Sequence, residues 1–201
     1  MALNAKDPVS FPYGQTGSRL HVLADNLAEA KTQKEVHVTY CRTCEWEHDT
    51  EITARYSIDC ADDRYKSTQL WLDRHLHRPT LHPCNQCNNT VHREIQYRNP
   101  IDLLFFNFEN VSVSVDKTIK VPGKSRSKML RLRGIVYSSG THYTARIIDR
   151  CEKVWFNDGM TTGSMCMLEG ELSEFSPDDL TRKGDTRIVM AVYASTATSK
   201  S

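Results

Sequence analysis

The 201-residue sequence lacks several features that would assign it to a special class of protein. It has no apolar run with a length of about 18 residues, which argues against a transmembrane helix. Its first residues contain no hydrophobic segment of the kind that a signal peptide needs, so a cytoplasmic or nuclear chain is the expectation. An excess of one charge is also lacking, since 26 Lys and Arg face 25 Asp and Glu, and this argues against a dedicated nucleic-acid or membrane-surface protein.

Disulfide bonds are not expected either, although the chain has seven cysteines. In a cytoplasmic or nuclear chain, cysteines are thiols or metal ligands, and the odd count agrees with that. The length is sufficient for one domain, or one and a half, with a sizeable hydrophobic core.

Alternation of apolar and polar residues dominates the sequence and predicts many strands. Helices are predicted at 18–31, where apolar residues follow a Ser18 cap, at 67–77, which begins at Ser67 and stops before Pro79, and as a single turn at 176–180. Strands are predicted at 35–41, 50–58, 91–97, 102–108, 112–121, 130–137, 142–149, 152–156 and 187–195. The strands follow one another through short turns without crossover helices, which predicts an α+β or mostly-β fold with an antiparallel sheet.

Two cysteine pairs provide the clearest chemical pattern. The segment "CRTC" places Cys41 and Cys44 two residues apart, and "CNQC" does the same for Cys84 and Cys87. Two such pairs on separate segments predict one tetrahedral zinc site with four thiolate ligands. Unmetallated thiols or two redox motifs are the alternatives. Asn88 suits the positive φ that often follows such a turn, and Glu45 suits it less.

Several other histidines and cysteines are of the residue types that serve as metal ligands or nucleophiles. His48 and His82 lie close to the pairs and could replace a ligand, but each is expected to be a surface residue. Cys60, Cys151 and Cys166 stand alone, and a buried small side chain is the simplest expectation for each. The 39 residues between Cys44 and Cys84 require a hairpin or a helix between the two turns.

A single histidine, His142, stands between a glycine-containing turn and an alternating strand. If 142–149 and 152–156 form a hairpin that turns near Arg150 and Cys151, Asn157 comes close to His142. A catalytic base needs one ring nitrogen held by an acceptor and the other free to face a nucleophile. The hairpin therefore predicts a hydrogen bond between His142 and Asn157. The alternative is that His142 is an isolated surface or core histidine.

The stretch "GIVYSSGTHYTARI…KVWFNDG" resembles the histidine box of the ubiquitin-specific proteases, the ubiquitin carboxyl-terminal hydrolases. The two cysteine pairs are similar to the zinc-binding fingers of that family, and "PIDLLFFNFENVSVSVDKTIKV" and "RIVMAVYAS" are similar to its palm strands. The resemblance covers roughly residues 18–195. It implies the C-terminal half of a papain-like cysteine protease: a loose N-terminus with a remnant thumb helix at 1–35, zinc-ribbon fingers at 36–98 and a palm at 99–196.

The resemblance also implies roles for individual residues. His142 matches the general base, Asn157 the residue that orients it, and Asp158 the acid that helps to stabilise the oxyanion. Ubiquitin or a ubiquitinated protein is the implied partner, with zinc as a structural ion. The sequence departs from the family pattern where Thr141 replaces a glycine and where "FFNF" lacks a basic residue.

The largest departure concerns the nucleophile, because the cysteine box of the family is absent and no cysteine precedes Cys41. Cys60 is expected in the fingers, Cys151 at the far end of the hairpin, and Cys166 after the other members of the triad. None is expected to serve, so a ubiquitin-binding form that is inactive by itself is predicted. The alternative function is a non-enzymatic zinc-ribbon module that binds nucleic acid through 117–133. This segment holds seven Lys and Arg and no Asp or Glu.

Overall fold

The structure, a computed structural model, describes residues 34–53, 56–61, 64–98, 101–108, 111–123, 127–140 and 142–195. The helix predicted at 18–31 lies outside these residues. Two sheets account for the described part of the chain, one of four strands and one of nine. Neither described α-helix is long and apolar enough to cross a membrane. The elements are β1 (Lys34–Cys41), β2 (Trp46–Thr53), β3 (Ser57–Cys60), α1 (Thr68–Leu76), β4 (His77–Pro83), β5 (Thr90–Tyr97), β6 (Leu103–Phe108), β7 (Thr118–Val121), β8 (Lys128–Ser138), β9 (Tyr143–Ile148), β10 (Lys153–Asn157), β11 (Met167–Glu171), α2 (Pro177–Thr181), β12 (Arg182–Lys183) and β13 (Thr186–Ala194).

The four-stranded sheet has the order β2-β1-β5-β4, and every neighbouring pair in it is antiparallel. Its edge strand β4 was not predicted, because the sequence "HRPTLHP" contains Pro79 and Pro83. Proline removes a backbone donor, so it is tolerated in a sheet mainly at an edge, which is where β4 lies.

The nine-stranded sheet has the order β11-β10-β9-β8-β13-β6-β3, with β7 added on β8 and β12 on β13. All of these pairs are antiparallel except β3 with β6, which is parallel. The single strand predicted at 50–58 is therefore wrong, since β2 ends at Thr53 and Ser57 begins a strand of the other sheet. A parallel pair needs a long crossover, and here α1, β4 and β5 form it. The division at residue 98 into fingers and palm stays a prediction, but β3 belongs to the larger sheet and α1 packs in the main core.

Helix α1 begins where its cap was predicted. The Ser67 hydroxyl accepts a hydrogen bond from the Leu70 N–H at 3.4 Å, as expected for an N-cap serine. Its apolar face, with Trp71, Leu72 and Leu76, is buried in the main core. The short helix α2 likewise has the predicted Ser176 cap and proline at its first position.

One core fills the space between the nine-stranded sheet and α1. Its largest fully buried side chains include three tyrosines, of which Tyr193 is tied to α1 because its hydroxyl lies 2.8 Å from the Thr68 hydroxyl. The Tyr193 hydroxyl also donates to the Asp116 carbonyl at 2.6 Å. Burial raises the pKa of Tyr193 above its usual value, so this phenol stays neutral and serves as a hydrogen-bonding group inside the core.

Arg146 of β9 is a buried charge that ties the sheet to the segment after β10. Its side chain is 5% exposed, and its Nε donates to Glu169 Oε2 at 2.7 Å. A terminal guanidinium nitrogen donates to the Tyr137 hydroxyl at 3.0 Å, and the group also lies over the Phe175 ring at 5.0 Å. Lys183 pairs with the other Glu169 oxygen. This network holds β11, α2 and β12 against the middle of the sheet.

The Glu169→Gln variant should lower the free energy of unfolding at neutral pH by about 1–3 kcal/mol, because a buried hydrogen bond to a charged group is lost. Burial alone would raise the pKa of Glu169, but the hydrogen bonds and charges of Arg146 and Lys183 hold it below its usual value. The carboxylate therefore stabilises the fold above the usual glutamate pKa of about 4.3 and stops doing so as pH falls through the lowered one.

Urea unfolding measured from pH 7 to pH 3 checks this expectation. The parent should lose more stability than Glu169→Gln across the acid range, while the matched control Glu47→Gln, at an exposed position, should follow the parent. Parallel curves for the parent and Glu169→Gln would contradict it.

Candidate metal centre and catalytic pair

The two cysteine turns lie side by side at one end of the four-stranded sheet. Cys41 is the last residue of β1, and Cys84 follows directly after β4. Both turns end with a residue at positive φ, Glu45 at 55° and Asn88 at 58°. Asn88 was expected in this conformation. Glu45 adopts it as well, which shows that the geometry of the turn outweighs the preference of the residue.

The four sulfur atoms form one cluster, each lying within 4.8 Å of the others. The Sγ atoms of Cys41 and Cys87 are 3.6 Å apart, and those of Cys44 and Cys84 are 3.8 Å apart. A tetrahedral zinc ion with Zn–S bonds of about 2.3 Å requires sulfur separations of about 3.8 Å. The donor set and its spacing therefore fit a structural zinc ion, and the predicted tetracysteine site is confirmed.

Hydrogen bonds give two of these thiols different pKa values. The Trp46 indole N–H donates to Cys84 Sγ at 3.2 Å and, with backbone N–H groups, lowers the pKa of Cys84 to about 6. The hydrogen bond between Cys44 and Cys87 is the main cause that raises the pKa of Cys44 to about 12. A bound zinc ion would hold all four as thiolates. Trp46 was not identified from the sequence, because nothing marks an indole as a donor to sulfur before the sheet is known.

The two histidines near the pairs do not join the cluster. Among the described residues, the only group of three or more side chains placed to hold a metal consists of the four cysteines. His48 and His82 are exposed, as expected for surface residues. The site is closed, with four protein ligands, so it suits a structural role and offers no open position for a substrate.

Purified protein should contain one zinc ion per chain, and Cys84→Ser should lose it and destabilise the four-stranded sheet. Folding energy comes directly from such a metal, because the small core around the cysteines adds only Val91 and Trp46 to the ligands. Elemental analysis and thermal unfolding, with Cys151→Ser as the matched control, test this. Well under one zinc per chain after purification without chelators, or equal zinc in the two variants, would contradict it.

His142 and Asp158 meet at one end of the nine-stranded sheet. His142 immediately precedes β9 and Asp158 immediately follows β10, and these two strands form the predicted hairpin. The His142 Nε2 and Asp158 Oδ1 atoms are 2.7 Å apart. The His142 side chain is 29% exposed and that of Asp158 is 16% exposed, so the pair is partly shielded but reachable.

The predicted hydrogen bond between His142 and Asn157 is wrong. The Asn157 amide instead donates to the Thr162 hydroxyl at 3.2 Å and to the carbonyls of Gly163 and Met165 at 3.1 and 2.8 Å. Asn157 is the last residue of β10 and lies opposite Ala145, whereas Asp158 is the first residue of the following loop and reaches the His142 ring. Asp158 takes the orienting place that the resemblance gave to Asn157.

The geometry leaves one imidazole nitrogen free. Since Asp158 is a hydrogen-bond acceptor, the hydrogen-bond network assigns the ring proton of His142 to Nε2. Nδ1 has no hydrogen-bond partner among the residues that the structure describes. Burial alone would raise the pKa of Asp158, but hydrogen bonds from the Met160 N–H, Thr161 and His142 lower it, which keeps the carboxylate charged. A base held at one nitrogen and open at the other is the arrangement that acyl-transfer chemistry requires.

A cavity of about 550 Å³ opens at the same end of the sheet. Phe108, Val111 and Ile188 contribute apolar walls, and Asp185 and Arg187 contribute charge. The turn that joins β8 to β9 lines it too, and in that turn the Ser139 N–H donates to the His142 carbonyl at 3.1 Å. The segment that leads into His142 therefore forms part of the lining of this cavity.

The three remaining cysteines lie at three different places in the larger sheet. Cys60 was expected in the fingers, and this is wrong: it belongs to β3, pairs with Phe108 and is fully buried in the main core. Cys151 lies in the turn between β9 and β10, at the opposite end of the hairpin from His142. Cys166 directly precedes β11, whose Met167 pairs with Phe156, so it lies at the Asp158 end of β10, with β10 between it and β9. A buried side chain was expected for Cys151 and Cys166, and this is wrong, because both are exposed.

No family model and no curated protein matches the chain. Among solved structures it is similar to the SAGA DUB module of Ubp8, Sgf11, Sus1 and Sgf73: one with a Ubp8 variant bound to monoubiquitin (TM-score 0.57, 12% identity), one bound to ubiquitin aldehyde (0.56, 12%) and one with another Ubp8 variant (0.53, 13%). Each match covers 81% of this chain and 40% of the other, so the chain spans about two fifths of its neighbours' length. The predicted fold, a mostly antiparallel sheet similar to that of the DUB module, and the predicted tetracysteine site are confirmed.

Proposed function

We propose that this chain is the fingers-and-palm part of a ubiquitin-specific protease-like domain and that it binds ubiquitin or a ubiquitinated protein without hydrolysing it by itself. The fold shared with a DUB module bound to monoubiquitin carries this proposal. In it, residues 36–98 act as zinc-ribbon fingers, apart from β3 and α1, which join the palm at 99–196. The protein works in the cytoplasm, the nucleus or both.

The His142–Asp158 pair is the part of a cysteine-protease site that this chain contributes. Nδ1 of His142 would accept the proton of a thiol, and the thiolate could then attack the carbonyl of an isopeptide bond. Asp158 would hold the ring and stabilise the imidazolium that forms. Asn157 matches the family's orienting residue in sequence, but its role here is indirect. Cys60 is fully buried in the main core and Cys151 lies at the far end of the hairpin. Cys166 forms no hydrogen bond with His142 among the described residues, so in this proposal another polypeptide segment supplies the thiol.

The alternative function, nucleic-acid binding through 117–133, is not favoured. Four of the seven basic side chains of this segment form contacts within the protein. Lys128 pairs with Asp102, and both Arg131 and Arg133 pair with Glu152, at 3.0 and 3.3 Å. Lys117 donates to the Ser173 carbonyl at 3.3 Å. A groove that follows a phosphate backbone needs cations without such partners.

Titration of isotopically labelled ubiquitin with the full chain, followed by NMR, tests the proposal. Saturable changes of the ubiquitin resonances are expected. Cys84→Ser should weaken binding by about tenfold or more, a change of about 1.4 kcal/mol, because the fingers lose their metal. Cys151→Ser is the matched control and should bind like the parent.

Two results would contradict the proposal. One is the absence of any saturable change in ubiquitin with a chain that contains zinc. The other is binding to single-stranded RNA that weakens steeply with added salt, since that would support the nucleic-acid alternative.

A further inference from the structure

The hydroxyl of Thr162 forms hydrogen bonds with both polar backbone groups of Asp158. The Asp158 N–H donates to Thr162 Oγ1 at 3.1 Å, and Thr162 Oγ1 donates to the Asp158 carbonyl at 2.9 Å. The Thr162 N–H donates to the same carbonyl at 2.7 Å. The Asp158 carbonyl also accepts from the Thr161 N–H at 3.0 Å. The Asp158 N–H is therefore the backbone group that depends on the Thr162 hydroxyl.

Asn157 completes the hydrogen bonding of this hydroxyl. A threonine hydroxyl can donate one hydrogen bond and accept two. Thr162 Oγ1 donates to Asp158 and accepts from the Asp158 N–H and from the Asn157 amide, so its capacity is fully used. Asn157 also donates to the Gly163 and Met165 carbonyls, which closes the loop from the end of β10 to the start of β11.

The side chain of Asp158 is held separately from its backbone. Its Oδ1 atom accepts a hydrogen bond from the Met160 N–H at 3.0 Å as well as from His142 Nε2 at 2.7 Å. The loop therefore holds both the backbone and the side chain of Asp158. Among its hydrogen bonds within the described residues, the one to His142 Nε2 joins Asp158 to the residue that precedes β9.

We propose that Thr162 and Asn157 are positioning residues that set the His142–Asp158 pair, with Asn157 acting through the loop and not on the imidazole. The proposal rests on the proposed function for the use made of His142, whereas the positioning itself is a property of the free protein. Nothing in the residues around Thr162 suggests this role until the loop is folded, since "MTTGSM" has no recognisable motif.

Substitution of Thr162 separates the hydroxyl from the bulk of the side chain. Thr162→Val keeps the shape but removes one donor and two acceptor positions, which leaves the Asp158 N–H and the Asn157 amide short of a partner. Thr162→Ser keeps the hydroxyl. Asn157→Ala removes the amide hydrogen bonds to Thr162, Gly163 and Met165 and leaves the Thr162 hydroxyl in place. Thr118→Val, at an exposed position on β7, is the matched control.

NMR of the His142 ring nitrogens in the full zinc-loaded chain at neutral pH is the test. The parent, Thr162→Ser and Thr118→Val should show the Nε2–H tautomer, with a ring proton protected from exchange with water. Thr162→Val and Asn157→Ala should show a mixture of tautomers and a loss of that protection, as should Asp158→Asn, which removes the acceptor charge. Thermal unfolding of each variant is measured alongside.

The proposal is overturned if Thr162→Val and Asn157→Ala, while folded, keep the parent ring spectrum. It is overturned equally if Thr162→Ser and Thr162→Val change the spectrum alike, because then the hydroxyl is irrelevant. If Thr162→Val does not fold, Asn157→Ala against Thr162→Ser decides. Ubiquitin binding is not the readout here, so its absence would count against the proposed function alone.

Discussion

The pairing register of β8, β9 and β10 is the constraint on which the rest of the site depends. Ala145 lies opposite both Val136 and Asn157, and this places His142 at the same end of the sheet as Asp158. A slip of one residue would turn every side chain of a strand to the other face. Arg146 opposes such a slip, because its charge is buried and satisfied only where it meets Glu169 and Tyr137.

The two sheets are stabilised by different means. The nine-stranded sheet has an extensive apolar core, and the network around Arg146 adds polar contacts to β11, α2 and β12. The far end of the four-stranded sheet has only a small cluster around the cysteines, with Val91 and Trp46. Burial on that scale cannot order a pair of loops, so the metal has to supply the folding energy there. Loss of zinc should therefore affect the smaller sheet first and leave the His142 end of the larger one in place.

Features with a local cause could be predicted from the sequence, and features with a non-local cause could not. Each cysteine pair lies within four residues, and the Ser67 cap bonds an N–H three residues later, so both were predicted correctly. Strand β3 leaves one sheet for the other because it pairs in parallel with β6, about 50 residues further along the chain, and no local pattern records that. The orienting partner of His142 was misplaced by one residue, because the loop held by Thr162 decides which side chain faces the ring.

An imidazole oriented by Asp158 is the central feature of this protein, and the proposed function takes its thiol from another polypeptide segment. Its most direct test is the intact mass of the zinc-loaded chain after incubation with ubiquitin that carries a thiol-directed warhead at its C-terminus. The chain should bind this probe without forming a covalent adduct. An adduct on Cys60, Cys151 or Cys166 that disappears in the His142→Ala variant would contradict this and would identify a complete catalytic site.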